Sequence, residues 1–327
     1  MWESAIMISS GVLATGYAAL AAALGHHFTH PGRRGPVPDA AARVPYHQTV
    51  RFTSRDGLNI TGWYVAAENP IGAVVLVHGR GAHKGYELEA DPQTLVADLV
   101  AEGFSVLTLD LRGHGESDGA RLSYGYHERN DVLGAVDWLM ARGYRAGCIG
   151  VLGASMGGAA AIAAAAEEPA LGAVVTDSTF ADFGAIARRR FPRELPYGLG
   201  RALLPGTLLA ARALLGVPVH RFRPVELAPA LRGRGFLVIH ADGDRLIPRS
   251  HAEDLAAAGN GELWTTDSKR HVSSFSHAPE LYRGRVVAFF RQHLAGAPRR
   301  ASGRKADLNT ATTSATLVAQ VVPLPAA

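Results

Sequence analysis

The sequence predicts an α/β fold: a mostly parallel central sheet covered by helices on both faces. Three observations predict it. Wholly apolar runs of six or seven residues read as strands buried on both sides, stretches of helical length alternate with them, and glycines punctuate the turns between. At 327 residues and 47% hydrophobic content, the chain can bury one large core with insertions, so length alone does not demand a second domain.

The first segment, Ala5 to Gly25, carries no charge over 21 residues; as a helix it measures about 30 Å, enough to span a bilayer. Its many Ala, Gly and Ser residues make it only moderately hydrophobic, and MWES offers Glu3 in place of the basic start of a signal peptide. We expect an N-terminal membrane-anchor helix over 1–25, with a cleaved signal or a packed helix as alternatives. Arg33, Arg34, Arg43 and Arg51 all follow it, so the positive-inside tendency places the rest of the chain in the cytoplasm. Residues 26–47, rich in Pro and Gly, read as a linker into a main domain spanning 48–297.

Within that domain, Val50 to Val65 reads as a β-hairpin turning at Asp56 and Gly57. Then come the strand AVVLVH, the helix DPQTLVADLVAEG, the strand FSVLTLD, a helix from Glu128 to Arg142 and the strand CIGVLGA. The helix MGGAAAIAAAAEE, closed by Pro169, and the strand AVVTDS follow. Between Thr179 and Arg232 the alternation stops. This stretch holds six prolines, the apolar run LGRALLPGTLLAARALLG and nine arginines against Asp182, Glu194 and Glu226, a formal charge of about +6. Such a region suits an anionic partner, or else presents solvated arginines above a leucine stripe. The strand FLVIHA, a helix from about Arg249, the strand ELWTT and the helix APELYRGRVVAFFRQHL complete the domain. The last thirty residues, 298–327, lack periodicity and read as a disordered tail.

The pattern G-x-S-x-G occurs twice, as GESDG around Ser117 and GASMG around Ser155. Only Ser155 lies between a buried strand and a helix without a gap, the context in which a strained turn exposes a serine hydroxyl at a helix N-terminus. Ser117 sits in loop composition, and Glu116 and Asp118 beside it oppose any oxyanion. A single cysteine, Cys148, excludes an internal disulfide, and no spacing resembles a zinc site. Neither G-x-G-x-x-G with its distal acid nor a Walker lysine is present, so we expect no cofactor and no metal. No nucleic-acid motif accompanies the mildly positive charge of +4.

Taken in order, VVLVHGRG (from Val74), LDLRGHGESDG (from Leu109), GASMGG (from Gly153), IHADGDRLIP (from Ile239) and RHVSSFSHAPELYRGRVVAFF (from Arg270) resemble the α/β-hydrolase superfamily. The likeness is to its bacterial serine hydrolases, the esterases and serine-aminopeptidase-like proteins, and covers about residues 50 to 295. It implies an α/β-hydrolase fold with a helical cap inserted at about 179–232, and a catalytic order of Ser, then Asp or Glu, then His. The family pattern puts the acid four residues after His240, selecting Asp244 over Asp242, and puts the histidine several residues before the last helix, favouring His271 over His277. It implies oxyanion donors at the backbone N–H of Met156 and of Arg80. His78, Asp110, Arg112 and His114 fall in turns that the family uses mainly structurally.

The expected function is hydrolysis of an ester, with an apolar or anionic small-molecule acyl substrate and no cofactor. Peptide or thioester cleavage on the same three residues is the alternative. A non-catalytic, membrane-tethered binding protein is the alternative from another class.

Overall fold

The structure, a computed structural model, describes residues 2–32, 47–86, 88 and 92–294. After helix α1 (Trp2–Thr29), the chain forms one eight-stranded sheet in the order β1-β2-β4-β3-β5-β6-β7-β8. Its strands are β1 (Gln48–Thr53), β2 (Asn59–Val65), β3 (Gly72–Val77), β4 (Phe104–Leu109), β5 (Ile149–Ala154), β6 (Leu171–Asp177), β7 (Gly235–Ala241) and β8 (Glu262–Thr266). β1 and β2 are antiparallel to each other, and β2 is antiparallel to β4; every other pairing is parallel. The protein therefore has the α/β-hydrolase architecture that the sequence predicts.

The strands are apolar throughout because both faces are covered. Val75, Val77, Val151 and Val174 point into one core, and their neighbours Val74, Leu76, Leu152 and Val175 point into the other. Over the first face lie α3 (Arg129–Ala141), α4 (Met156–Glu167) and α8 (Arg249–Gly259). Over the second lie α2 (Gln93–Ala101) and α10 (Pro279–Leu294). Between β6 and β7 the chain leaves this frame for α5 (Phe183–Glu194), α6 (Leu199–Leu215) and the single turn α7 (Pro224–Leu227). A last short helix, α9 (Ser274–His277), precedes α10.

The membrane anchor expected at the N-terminus is not supported: among the described residues, no helix is long and apolar enough to cross a membrane. At 28 residues α1 has the length; its small residues deny it the hydrophobicity. Those residues serve a different contact. A Cβ on Gly25 would stand 2.7 Å from Cβ of Ala210, and one on Gly206 would stand 2.9 Å from Cβ of Ala21, so α1 and α6 approach through small side chains. The Tyr17 hydroxyl donates to Ala202 O at 3.0 Å and accepts from Gly206 N at 3.2 Å. At its C-terminal end, α1 is tied to the loop before α3 by Leu122 N donating to Thr29 O and the Tyr124 hydroxyl donating to Phe28 O, each at 2.9 Å. The cytoplasmic placement rested on an anchor's orientation, so its argument lapses with the anchor. The expected linker begins inside α1, which runs to Thr29, and residues 33–46 of it lie outside the described residues, as does the tail 298–327.

The turn after β4 is held by charge. Lys84, 2% exposed, places Nζ 2.6 Å from Asp110, which is fully buried, and 2.6 Å from Glu116 at the surface. Asp110 also accepts the amides of Lys84 and Glu116 at 2.8 and 2.9 Å. Gly115 has φ 46° and would drive a Cβ into that carboxylate. Arg112 bridges Asp56 and the buried Asp131 at 2.7 Å each. Burial brings the His78 ring down to about 3, and it accepts the Leu111 amide at Nε2 over 2.9 Å. Lys84→Met would leave the Asp110 carboxylate without its cation, and the expected loss of stability is about 3–5 kcal/mol. Urea unfolding measures it; a loss near zero would show that this buried pair does not hold the turn.

Candidate active site

Ser155 follows β5 without a break and opens α4. Its backbone sits at φ 51° and ψ −113°, a conformation that a non-glycine residue keeps only under constraint. The constraint is the closeness of strand and helix. A Cβ on Gly153 would meet the backbone of Gly157, one on Gly157 would meet the carbonyls of Val77 and His78, and one on Gly158 would meet Oγ1 of Thr179. Ser155 N donates to Asp177 O at 2.8 Å, and the Thr179 hydroxyl donates to Ser155 O at 3.2 Å. The backbone is thus pinned on both sides while the side chain is left at a cavity.

His271 comes from the loop between β8 and α9. Its Nε2 is 2.9 Å from Ser155 Oγ and its Nδ1 is 2.7 Å from Asp244 Oδ2. A carboxylate at Nδ1 fixes the tautomer: Nδ1–H donates to Asp244, leaving Nε2 to accept a hydrogen bond from the Ser155 hydroxyl. Asp244 lies in the loop after β7, where its other oxygen accepts the amides of Leu246 and Ile247 at 2.8 and 3.0 Å. Burial pushes this carboxyl up, but the hydrogen bonds from His271 and the two amides outweigh it and hold Asp244 below the ordinary carboxylate range.

The rival residues stand apart from this chain of contacts. Asp242 is exposed and paired with Arg249 at 3.1 Å. His277 is exposed at the end of α9. Ser117 is fully buried; its hydroxyl donates to Asp110 O at 2.6 Å and accepts Thr61 N at 2.9 Å. The G-x-S-x-G around Ser117 is therefore a brace between β2 and the turn after β4.

Ser155 and His271 border a cavity of about 360 Å³, which Gly79, Arg80 and Met156 also line. A Cβ on Gly79 would stand 3.5 Å from Cβ of Ser155, so the HGRG turn lies directly against the serine. Among the described residues, no three His, Cys, Asp or Glu side chains converge so as to hold a metal ion.

A family model described as X-Pro dipeptidyl-peptidase (S15 family) matches residues 23–192, just over half of the chain. The chain belongs to the S15 family. The uncharacterized protein YfhR of Salmonella typhi is 25% identical over 290 residues, covering 82% of this chain and 88% of that protein. Human monoglyceride lipase is 33% identical over 129 residues, covering 38% of this chain and 41% of the lipase. The solved esterase Pf2001 of Pyrococcus furiosus superposes with a TM-score of 0.64 at 23% identity, covering 81% of this chain and 99% of the esterase. Together, family and fold make this chain a serine-hydrolase-class enzyme acting on small substrates.

The S15 match includes Ser155 and ends before Asp244 and His271. It also includes a residue that sequence reasoning passed over. Asp177, the last residue of β6, is fully buried behind the site, where its Oδ1 accepts the Ser178 hydroxyl at 2.9 Å. That same hydroxyl oxygen accepts Val272 N at 3.2 Å, joining the end of β6 to the residue after His271. The only sequence signal was a carboxylate closing an otherwise apolar strand. Burial, only partly offset by the Ser178 hydrogen bond, pushes the Asp177 carboxyl up to about 6. Unfolded, it ionises near 3.8; folded, it keeps its proton to about 6, so its charging costs stability as pH rises between the two, and the cost persists above. Asp177→Asn cannot ionise. Its melting temperature relative to the parent is expected to be higher at pH 8 than at pH 4 by about 5 °C or more; an equal offset at both pH values would refute the buried charge.

Proposed function

We propose that the enzyme hydrolyses carboxylic esters through an acyl-enzyme, with Ser155 as nucleophile, His271 as general base and Asp244 as the group that orients the imidazole. The observation that carries this reading is the continuous relay of 2.9 Å from Ser155 Oγ to His271 Nε2 and 2.7 Å from His271 Nδ1 to Asp244. As Ser155 Oγ bonds to the ester carbon, its proton passes to Nε2, and the imidazolium is stabilised by the Asp244 carboxylate. The backbone amides of Arg80 and Met156, both at the cavity beside Ser155, receive the tetrahedral oxyanion; such a donor is worth about 10²–10³ in rate. His271 then protonates the leaving alkoxide, and a water activated by the same nitrogen cleaves the acyl-enzyme. In this reading residues 179–232 form the cap over the site and 48–297 the hydrolase domain.

The family description favours a second reading, cleavage of a dipeptide from a peptide N-terminus. Recognition of that terminus calls for a carboxylate to face the α-ammonium group. Among the described residues that line the cavity the one carboxylate is Glu194, and it faces Arg190 at 3.6 Å. Arg80 adds a further positive charge, so the charge of the lining opposes a cationic group and the ester reading stands ahead.

A fluorophosphonate probe is expected to label the parent and Ser117→Ala but not Ser155→Ala. Hydrolysis of an activated ester should fall by about 10⁴-fold or more in Ser155→Ala and about 10⁴-fold in Asp244→Asn. Labelling that survives in Ser155→Ala would remove the serine from its role. Turnover of X-Pro peptide substrates exceeding that of esters would favour the peptidase.

A further inference from the structure

The cavity beyond Ser155 is bounded by more than the insertion between β6 and β7. Phe28 and Thr29, the last turn of α1, are part of its lining. Phe28 packs against Phe191 of α5, with ring centroids 5.2 Å apart, and the backbone carbonyls of both α1 residues are held by the loop before α3. The end of α1 is therefore a fixed wall.

The chemistry of the lining divides in two. Arg80, Arg190 and Glu194 reach solvent. Apart from Ser155, His271, Thr29, Tyr124 and Thr207, the remainder is hydrocarbon, including Phe180, Ile186, Phe191 and Ala211, each buried. A volume of about 360 Å³ holds about twelve non-hydrogen atoms if each takes the ~30 Å³ that water occupies in the liquid. An ester group placed at Ser155 uses about four of these, which leaves room for about eight carbons of chain.

From these observations, and resting on the esterase reading of Ser155, we infer that the site accepts an unbranched apolar acyl chain of about six to ten carbons, with the C-terminal turn of α1 as the wall that limits its length. The apolar lining decides between the two substrate classes that the sequence leaves open, because an anionic chain would bury its charge among phenylalanines. Phe28 is thus a specificity-determining residue contributed by the N-terminal helix, and Ala211 on α6 marks space that a larger side chain would occupy.

The test is kcat/KM of the full chain for p-nitrophenyl esters from acetate to palmitate. Each methylene buried in an apolar pocket multiplies the constant by about threefold to fourfold, so octanoate, six methylenes longer, is expected to exceed acetate by about 700-fold or more, with a fall beyond decanoate. Ala211→Phe should lower the octanoate-to-acetate ratio by about tenfold, and Phe28→Ala should move the optimum to chains longer by two carbons or more; the two variants act in opposite directions, so a folding defect in one cannot imitate the pair. Hydrolysis of acetate with no gain on lengthening the chain would overturn the acyl pocket and leave the esterase reading intact. An optimum that neither variant moves would overturn the wall. Absence of any ester turnover, with the parent unlabelled by fluorophosphonate, would overturn both.

Discussion

The site depends on one backbone constraint, the conformation of Ser155. At φ 51° and ψ −113° the residue pays a conformational cost of about 1–3 kcal/mol, which only surrounding structure can hold in place. Three glycines make the close turn sterically possible, and the amide bond to Asp177 O makes it rigid. Two further non-glycine residues with positive φ lie next to it in space, Ser178 at 52° and Val272 at 51°. They are joined: Ser178 N donates to Ile239 O of β7, and Ser178 Oγ accepts Val272 N. The strained positions therefore follow the ends of β5 and β6 and the loop after β8, and each is braced by its neighbour. His271 stands one residue before Val272, so its 2.9 Å approach to Ser155 is set by this bracing as well as by Asp244.

The pair of G-x-S-x-G sequences shows how much chemistry was legible and why. Around Ser155, local information sufficed, because a strand, a serine and a helix with glycines on either side leave one geometry for the turn. Around Ser117, the flanking acids argue against catalysis, and in the structure its hydroxyl accepts Thr61 N and donates to Asp110 O. The rest of the sheet was readable from apolar runs and their spacing, with element bounds within two residues of those expected for β3 to β8. Lys84 was not readable. A lysine in a glycine-rich loop carries no sign that it will be 2% exposed, because the carboxylate that draws it inward lies 26 residues later, at the end of another strand.

Asp177 was invisible for a related reason. A carboxylate that ends an apolar strand reads as the strand's polar limit, whereas its burial arises only when β7 and α10 close over it. Its raised carboxyl and the lowered carboxyl of Asp244 belong to one environment treated in opposite ways. Asp244 has a cation-forming partner and two amides; Asp177 has only neutral hydroxyls, those of Ser178 and Tyr282. Depth and hydrogen-bond supply together decide which of the two acids is ionised: burial is the largest influence on both, it is complete at Asp177, and only Asp244 has the partners to outweigh it.

The N-terminal helix is where composition misled, and the reason is physical. A run rich in alanine and glycine lets backbones approach closely whether the surroundings are lipid or protein, so small residues at four-residue spacing do not tell a bilayer span from a packed helix. What separates the two is a matching surface elsewhere in the chain. Ala21 and Gly25 on α1 meet Gly206 and Ala210 on α6, the same spacing on both helices, and that partner lies some 185 residues away. The S15 match begins at residue 23. It therefore takes in the turn of α1 that borders the cavity and leaves out the earlier turns, including Tyr17 and Ala21, that clamp this turn onto α6.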